Sequence, residues 1–168
     1  MNKNKLDNLW APWRMDYIQS PTKETSVFLS KGNETNDKEN LVLFRGSFSY
    51  VLMNLYPYNN GHLLIVPYEE IESPEGLSPK VTSEMMLIAT ESMKILRLAI
   101  KAEGFNFGAN IGASAGAGIA EHLHYHIVPR WNGDTNFMPV IGNTKVQVQG
   151  LQDTYKSLLP FFKKINID

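Results

Sequence analysis

The sequence predicts an α+β fold, in which an antiparallel β-sheet carries one long helix and a C-terminal helix. Short apolar runs separated by turn residues dominate residues 41–67, which is typical of neighbouring strands. Residues 79–102 repeat apolar side chains at helical spacing. Because strands and helices do not alternate strictly along the chain, a parallel α/β sheet is disfavoured.

Composition and charge limit the class of protein. The chain has 168 residues, 43% of them hydrophobic and 20% charged, which suits one soluble domain over residues 1–168. With a net charge of −1, no overall basic field would attract a nucleic acid polymer. The chain has no cysteine, which excludes disulfides and thiolate metal sites. Neither a signal peptide nor an apolar run of about 18 residues is visible, so we expect a cytoplasmic protein with no membrane partner.

The N-terminal residues predict an arm that precedes the strands. This arm covers residues 1–26, and its aromatic stretch 9–18 would pack over an edge of the core. Val27 and Phe28 then begin a short apolar run. Residues 31–40 are polar and predict a loop.

Three strands are expected next, and the first two form a hairpin around Gly46-Ser47. The third is nearly continuously apolar, which favours a central position in the sheet. These predicted strands are residues 41–45, 48–55 and 62–67.

The long helix follows the third strand. Ser78 precedes Pro79, a favourable pair at a helix N-terminus. The later predicted elements are strands at residues 105–111 and 122–129 and a helix at residues 151–164. Residues 131–168 form the expected C-terminal tail, whose helix would bend or stop near Pro160.

Three of the four histidines, His122, His124 and His126, lie at alternate positions of one predicted strand. Since successive side chains of a strand project to opposite faces, the three imidazoles share a face. Three interpretations remain open: a surface row without a role, a zinc site completed by a ligand such as His62, or covalent catalysis at phosphorus. Because imidazole titrates near neutral pH, one ring can act as a nucleophile while another is protonated, which favours the third.

A glycine-rich segment, residues 110–120, leads into these histidines. Small residues let a ligand approach the backbone, and consecutive amides in such a turn can bind an anion. The segment lacks the Lys-Ser/Thr ending of a P-loop. Directly before three histidines, it predicts a phosphate-binding loop at a catalytic strand.

These residues resemble the histidine triad (HIT) superfamily. Its His-x-His-x-His signature, followed by two apolar residues, matches residues 122–128. Asn54 stands eight residues before the histidine-led apolar strand 62–67, as in the family's upstream segment. The resemblance covers residues 27–131. The flanks are similar to a bacterial branch near the fragile-histidine-triad proteins and the diadenosine tetraphosphate phosphorylases, at residues 9–18, 120–121 and 129–137.

The resemblance implies a HIT-like sheet and catalytic roles for all four histidines. His124 would attack the α-phosphorus of a nucleotide and form a nucleotidyl-histidine intermediate. His122 would orient the ring of His124, directly or through a backbone carbonyl. His126 would contact phosphoryl oxygens, and His62 would support the triad electrostatically from the neighbouring strand.

A nucleotide site is implied in the same way. Asn54 would hydrogen-bond the ribose hydroxyls. Apolar side chains would line the adenine pocket, although core packing also accounts for them: Leu52, Leu55, Val27 and Phe28. Phosphate oxygens would meet the loop before the triad at Asn110, Gly116 and Gly118, the glycines through their amides.

The expected function is a nucleotidyl transferase or hydrolase. It would cleave dinucleoside polyphosphates, such as diadenosine tetraphosphate, at the α-phosphate, with inorganic phosphate or water as acceptor. The alternatives are a nucleoside phosphoramidase and a nucleotide-binding module with slow turnover. The resemblance implies no tightly bound cofactor and no protein-bound metal, while Mg²⁺ would enter with the substrate's polyphosphate. It also implies a homodimer.

Two features near the triad stay open. Many relatives carry a polar residue about four positions before the first triad histidine, where this chain has Gly118. Ser114 could substitute, but it lies eight residues before His122. After the strand, Arg130 and Trp131 either pack at the strand end or border the distal phosphates of the substrate.

Overall fold

A computed structural model of the chain describes residues 27–142 and 144–167. The arm expected at residues 1–26 therefore lies outside the described residues. The strands are β1 Val42–Arg45, β2 Ser49–Met53, β3 Leu63–Pro67, β4 Gly104–Gly108 and β5 Tyr125–Arg130. The helices are α1 Val27–Asn33, α2 Asp37–Asn40, α3 Pro79–Ile100, α4 Met138–Ile141 and α5 Leu151–Phe162, with 3₁₀ turns at Pro74–Gly76 and Ala113–Ala115.

The five strands form one sheet in the order β1-β2-β3-β5-β4. Each neighbouring pair is antiparallel, so the α+β class expected from the sequence is confirmed. The sheet places β3 and β5 side by side at its centre, while β4 forms one edge. His62, directly before β3, and His126, in β5, therefore lie on neighbouring parts of the sheet.

One face of the sheet packs on α3 and α5. Helix α3 begins at the N-cap Ser78, whose hydroxyl accepts a hydrogen bond from the Val81 amide. Its apolar stripe covers alternate residues of the strands, and α5 closes the same core. The largest fully buried side chains of this core include Met53, Ile65, Met85, Ile88, Leu96, Ile127, Leu158 and Phe162.

The other face of the sheet carries a smaller apolar cluster under α1. Phe28 of α1 packs there with side chains of the first three strands, Val42, Tyr50, Leu52, Leu64 and Val66. The guanidinium of Arg45 donates to the carbonyls of Lys31 and Gly32 at the end of α1. A cation at this position satisfies carbonyls that the helix itself leaves without partners.

The loop expected at residues 31–40 is wrong at both ends, since α1 continues to Asn33 and α2 occupies Asp37–Asn40. The cause of these two helices is a tertiary contact. Arg45 also pairs with Asp37 of α2 at 2.8 Å, so one side chain of β1 holds both short helices. A local pattern contains no sign of this contact.

The triad strand is shorter than expected, because β5 begins at Tyr125 and both His122 and His124 precede it. Pairing with β3 starts at Tyr125 opposite Ile65. Before that residue, the side chains of His122 and His124 bond to the backbone carbonyls of Pro67 and His122, respectively. Three other expected strands also end or begin differently: β2 ends at Met53, β3 begins at Leu63, and β4 runs only from Gly104 to Gly108.

The C-terminal tail contains a core element. Helix α5 includes Pro160 and ends two residues later at Phe162, in agreement with the expected stop. Both Leu158 and Phe162 are fully buried against the sheet. Among the helices of residues 27–142 and 144–167, none combines the length and apolar character needed to cross a bilayer.

Candidate active site

The four histidines meet on the α1 side of the sheet. His62 stands directly before β3 and His126 lies in β5, and their ring atoms Nε2 and Nδ1 are 2.9 Å apart. The ring centroids of His124 and His126 are 4.9 Å apart. His62 and His122 are fully buried, and His124 is 6% exposed. His62 therefore faces His126 where β3 and β5 lie side by side.

The protonation of His62 follows from its neighbours. The backbone amide of Tyr58 donates to His62 Nδ1 at 3.0 Å, so the proton of the neutral ring is on Nε2. Burial, together with smaller contributions from the nearby His126 and His124, lowers the pKa of His62 to about 3. The ring is thus neutral near pH 7 and carries its proton towards His126.

The same reasoning extends to His126. Its Nδ1 accepts the proton of His62 Nε2, so a neutral His126 carries its own proton on Nε2. The chain from the Tyr58 amide through His62 to His126 therefore fixes two tautomers in sequence. His126 presents an N–H donor, which is the group that a phosphoryl oxygen requires.

His124 has the opposite tautomer. Its Nδ1 lies 2.9 Å from the backbone carbonyl of His122 and must donate to it, because a carbonyl only accepts. Nε2 of His124 therefore carries the lone pair that nucleophilic attack needs. Of the two ways in which His122 was expected to orient His124, the structure has the backbone carbonyl.

His122 anchors this arrangement to β3. Its Nε2 lies 2.9 Å from the carbonyl of Pro67 and donates to it. Burial lowers the pKa of His122 and outweighs the bond to Pro67 and the charges of Glu70 and Glu121, which act in the opposite direction. A neutral His122 keeps its backbone in the position from which its carbonyl orients His124.

The apolar residues expected to bind adenine do not all come together. The Phe28 ring lies 4.9 Å from that of His124 and 5.6 Å from that of His122, in the cluster that also buries Leu52. Val27 is half-buried at the start of α1. Leu55 follows the end of β2 and is 51% exposed, outside that cluster.

Asn54 lies beside His62 rather than apart from the histidines. Its side-chain nitrogen is 3.3 Å from His62 Nδ1, and its side-chain oxygen accepts from the Tyr56 amide at 3.0 Å. The amide group is half-buried at the mouth of the histidine cluster. This position is compatible with a contact to ribose, which stays a prediction.

The glycine-rich segment forms a tight exposed turn. Gly112 and Gly116 have φ angles of 79° and 83°, which only glycine adopts readily. The Gly116 amide donates to the Ala113 carbonyl at 3.0 Å, so in this structure it serves the turn rather than facing a free anion site. Gly118 is exposed and Asn110 is half-buried, so both lie within reach of solvent.

A comparison with protein families and curated proteins identifies the chain. The profile of the HIT domain matches residues 35–133. An AP-4-A phosphorylase from Mycobacterium tuberculosis is 39% identical over 164 residues, which cover 93% of this chain and 84% of that protein. The chain belongs to the HIT domain family. The family expected from the triad signature is thereby confirmed.

A second relative and a solved structure of a similar protein agree with this family. An asymmetrical bis(5'-nucleosyl)-tetraphosphatase from Schizosaccharomyces pombe is 27% identical over 93 residues, 55% of this chain and 50% of that protein. A Zn-bound histidine triad family protein from Mycobacterium smegmatis has a TM-score of 0.67 at 19% identity, with 83% of this chain and 94% of that chain covered. The structural match confirms the fold.

Tyr58 is a site residue that the sequence analysis missed. Its ring stacks on His126, with centroids 5.7 Å apart and planes inclined by 13°, and contacts His62 at 4.7 Å. Its amide sets the His62 tautomer. An aromatic residue four positions before His62 was the available signal, but the turn at Pro57 concealed its proximity to the triad.

Arg130 and Trp131 take part in packing at the end of β5. Arg130 pairs with Asp134 at 2.6 Å and donates to Asn106, and this guanidinium holds the pKa of Asp134 well below its usual range. The Trp131 ring nitrogen donates to the Lys101 carbonyl at 2.8 Å. Of the two interpretations left open, these contacts favour strand-end packing.

Metal ligation was the other chemistry considered for the histidines. Over residues 27–142 and 144–167, no three His, Asp or Glu side chains are grouped so as to hold a metal ion. Both ring nitrogens of His62, and one each of His122, His124 and His126, are bonded to another ring or to a backbone group.

Proposed function

We propose that this HIT domain protein is a dinucleoside polyphosphate phosphorylase that acts through a nucleotidyl-histidine intermediate on His124. One observation carries the proposal: His124 Nδ1 donates to the His122 carbonyl, so its Nε2 keeps a lone pair, and this ring lies 4.9 Å from the ring of His126, whose Nε2 carries the proton. A nucleophile and a phosphoryl-oxygen donor on adjacent rings are what transfer of a nucleotidyl group requires.

In the first step, His124 Nε2 attacks the α-phosphorus of diadenosine tetraphosphate. The N–P bond forms and the bond from phosphorus to the bridging oxygen breaks, which releases ATP. The His126 N–H stabilises charge on a non-bridging oxygen, and His62 keeps that N–H in place through its own fixed tautomer. A Mg²⁺ ion that enters with the polyphosphate would supply positive charge to the leaving group.

In the second step, an oxygen of inorganic phosphate attacks the same phosphorus. The N–P bond breaks, ADP leaves and His124 regains its lone pair. The 39% identity to a protein named AP-4-A phosphorylase favours phosphate as the acceptor over water. Water would make the enzyme a hydrolase, the second candidate, which the tetraphosphatase relative favours.

The proposal includes a nucleotide pocket at the edge of α1 and a homodimer. Phe28 lies next to the triad and Val27 precedes it in α1, so an adenine ring would stack there, and Asn54 would bind its ribose. The edge strand β4 and helix α3 expose the apolar side chains Phe107 and Leu98, at 39% and 63%. A second copy could cover this edge.

Product analysis tests the choice of acceptor. The purified protein is incubated with diadenosine tetraphosphate and Mg²⁺, with and without inorganic phosphate, and the nucleotides are separated. ADP and ATP that form only with phosphate support the phosphorylase. AMP and ATP that form regardless of phosphate establish the hydrolase instead, and intact substrate in both mixtures contradicts both.

His124→Asn tests the nucleophile. Asparagine retains a hydrogen-bonding side chain but has no imidazole lone pair, so turnover should fall by about 10⁴-fold or more while nucleotide affinity survives. Wild-type protein incubated briefly with substrate and then denatured should carry a nucleotidyl group that the variant lacks, as mass spectrometry can measure. Persistent turnover in the variant would exclude the covalent route.

A further inference from the structure

One row of side-chain positions crosses the sheet on the face that carries the histidines. In an antiparallel pair, directly opposite residues project to the same face. The register from β1 to β4 gives the row Val42, Leu52, Leu64, His126 and Gly108. Its first three members are buried in the cluster under α1. The row therefore runs from an apolar end, past the imidazole of His126, to a position without a side chain.

Neither backbone conformation nor packing accounts for glycine at position 108. Its φ is not positive, in contrast to those of Gly112 and Gly116. Apart from the chain neighbours, a Cβ added to Gly108 would meet no heavy atom of the described residues within 4 Å. The pairing of β4 with β5 runs from Gly104 to Gly108 without a bulge.

Gly108 is the last residue of β4 and is paired with His126. Glycine at a paired strand position has a cost, because it loses more backbone entropy than other residues and has no side chain to pack. In strands it often marks a place where a ligand or another backbone approaches closely. Neither the conformation nor the packing of β4 explains a glycine at position 108. The remaining explanation is that a ligand or another backbone approaches this position closely.

We infer that Gly108 keeps open a subsite for the leaving half of the substrate, meaning the polyphosphate and second nucleoside of a dinucleoside polyphosphate. This inference rests on the proposed function. The first nucleoside would lie at the edge of α1, beside Phe28 on the apolar side of the row, and the α-phosphate would lie at His124 and His126. The leaving group departs on the side opposite the nucleophile, and the row continues beyond His126 to Gly108.

The register shows what a side chain at position 108 would obstruct. Opposite Cβ positions in an antiparallel pair lie about 4.5–5.5 Å apart, so a side chain at position 108 would stand directly against the His126 ring. Glycine removes that obstacle while the strand still supports His126 through its backbone pairing. Gly108 thus acts by leaving space rather than by making a contact.

A neighbouring backbone is the other possible reason, since β4 is an edge strand. A second copy that pairs with this edge would bond to N–H and C=O groups that lie in the plane of the sheet. Side chains stand perpendicular to that plane, so edge pairing does not require glycine. The ligand is therefore the better explanation, and the oligomeric state distinguishes the two.

Two reactions with leaving groups of different size test the inference. Phosphorolysis of diadenosine tetraphosphate releases ATP, whereas exchange of labelled inorganic phosphate into ADP, the reverse of the second step, involves only inorganic phosphate as leaving group. Gly108→Val should lower kcat/KM for phosphorolysis by about tenfold or more and change the exchange rate by less than about threefold. Gly108→Ala should show the same selectivity with a smaller loss.

Gly104→Val is the matched control, because Gly104 lies on the same strand and face but opposite Arg130, where an added Cβ makes an ordinary contact at 3.9 Å. This variant should keep both reactions at about the wild-type rate.

Equal rates in wild type and Gly108→Val would overturn the inference, as would an equal loss of both reactions or a change of oligomeric size on gel filtration. If the valine variant does not fold, Gly108→Ala decides in the same way. A wild type that releases no ADP from diadenosine tetraphosphate would refute the proposed function instead.

Discussion

The two faces of the sheet bury different kinds of groups. On the face towards α3 and α5, the buried side chains are mainly aliphatic and aromatic, such as Ile65, Ile127 and Phe162. On the opposite face, a smaller apolar cluster adjoins buried imidazoles, and both ring nitrogens of His62 and the Nε2 of His122 are bonded to another ring or to a backbone group. The first face can contribute stability with little chemical constraint, whereas the second positions protons.

This difference has an energetic consequence. Burial of apolar groups stabilises the fold at any pH, because such groups do not titrate. Burial of neutral histidines stabilises one protonation state, so its contribution depends on pH. Substitutions on the two faces should therefore separate stability from catalysis.

The largest expected effect is on the helix side. Phe162→Ala removes a fully buried ring from the core between α5 and the sheet, and we expect the free energy of unfolding to fall by about 3–5 kcal/mol. Urea denaturation measures it. Protein that remains folded at low temperature should retain wild-type kcat, because the ring is on the face away from the histidines. A large loss of kcat in folded protein would show that the helix side of the sheet also affects catalysis.

The next effect concerns acid stability on the histidine side. The folded state lowers the pKa of His62 to about 3 from an ordinary value of 6.5, so below pH 6.5 the unfolded chain binds more protons at this site. Stability is therefore fully present above pH 6.5 and is lost as the pH falls towards 3. The loss due to one such histidine approaches about 1.4 kcal/mol per pH unit.

His62→Gln is the matched variant, because glutamine keeps an acceptor for the Tyr58 amide and does not titrate. Urea midpoints at pH 7, 6 and 5, above the ordinary range of carboxyl groups, should decline less steeply in this variant than in wild type. His122, whose pKa burial also lowers, leaves part of the slope in place. Parallel declines would show that His62 is not the group responsible.

Sequence alone predicted the parts of the molecule that depend on local spacing. Alternation and family resemblance together pointed to His62, His122, His124 and His126, and the structure brings all four together. The apolar periodicity of α3 likewise predicted its buried face. Such patterns are visible because each residue's role follows from its near neighbours.

The remaining features depend on contacts between distant residues. The start of β5 at Tyr125 depends on where pairing with β3 begins. Helix α1 ends against Arg45, a residue of β1, and the open position at Gly108 is recognisable only from the register opposite His126. Tyr58 reaches the triad through a turn, for which periodicity gives no signal.

The smallest expected effect concerns this last residue. The Tyr58 ring contacts both His62 and His126, so Tyr58→Ala should loosen the pair that aims the His126 proton and lower kcat by about tenfold, with KM little changed. Tyr58→Phe keeps the ring and should remain within about threefold of wild type. Both variants keep the backbone amide that fixes the His62 tautomer. An increase in KM with kcat unchanged would mean that Tyr58 serves substrate binding and not the orientation of the histidine pair. A phenylalanine variant as impaired as the alanine one would mean the same.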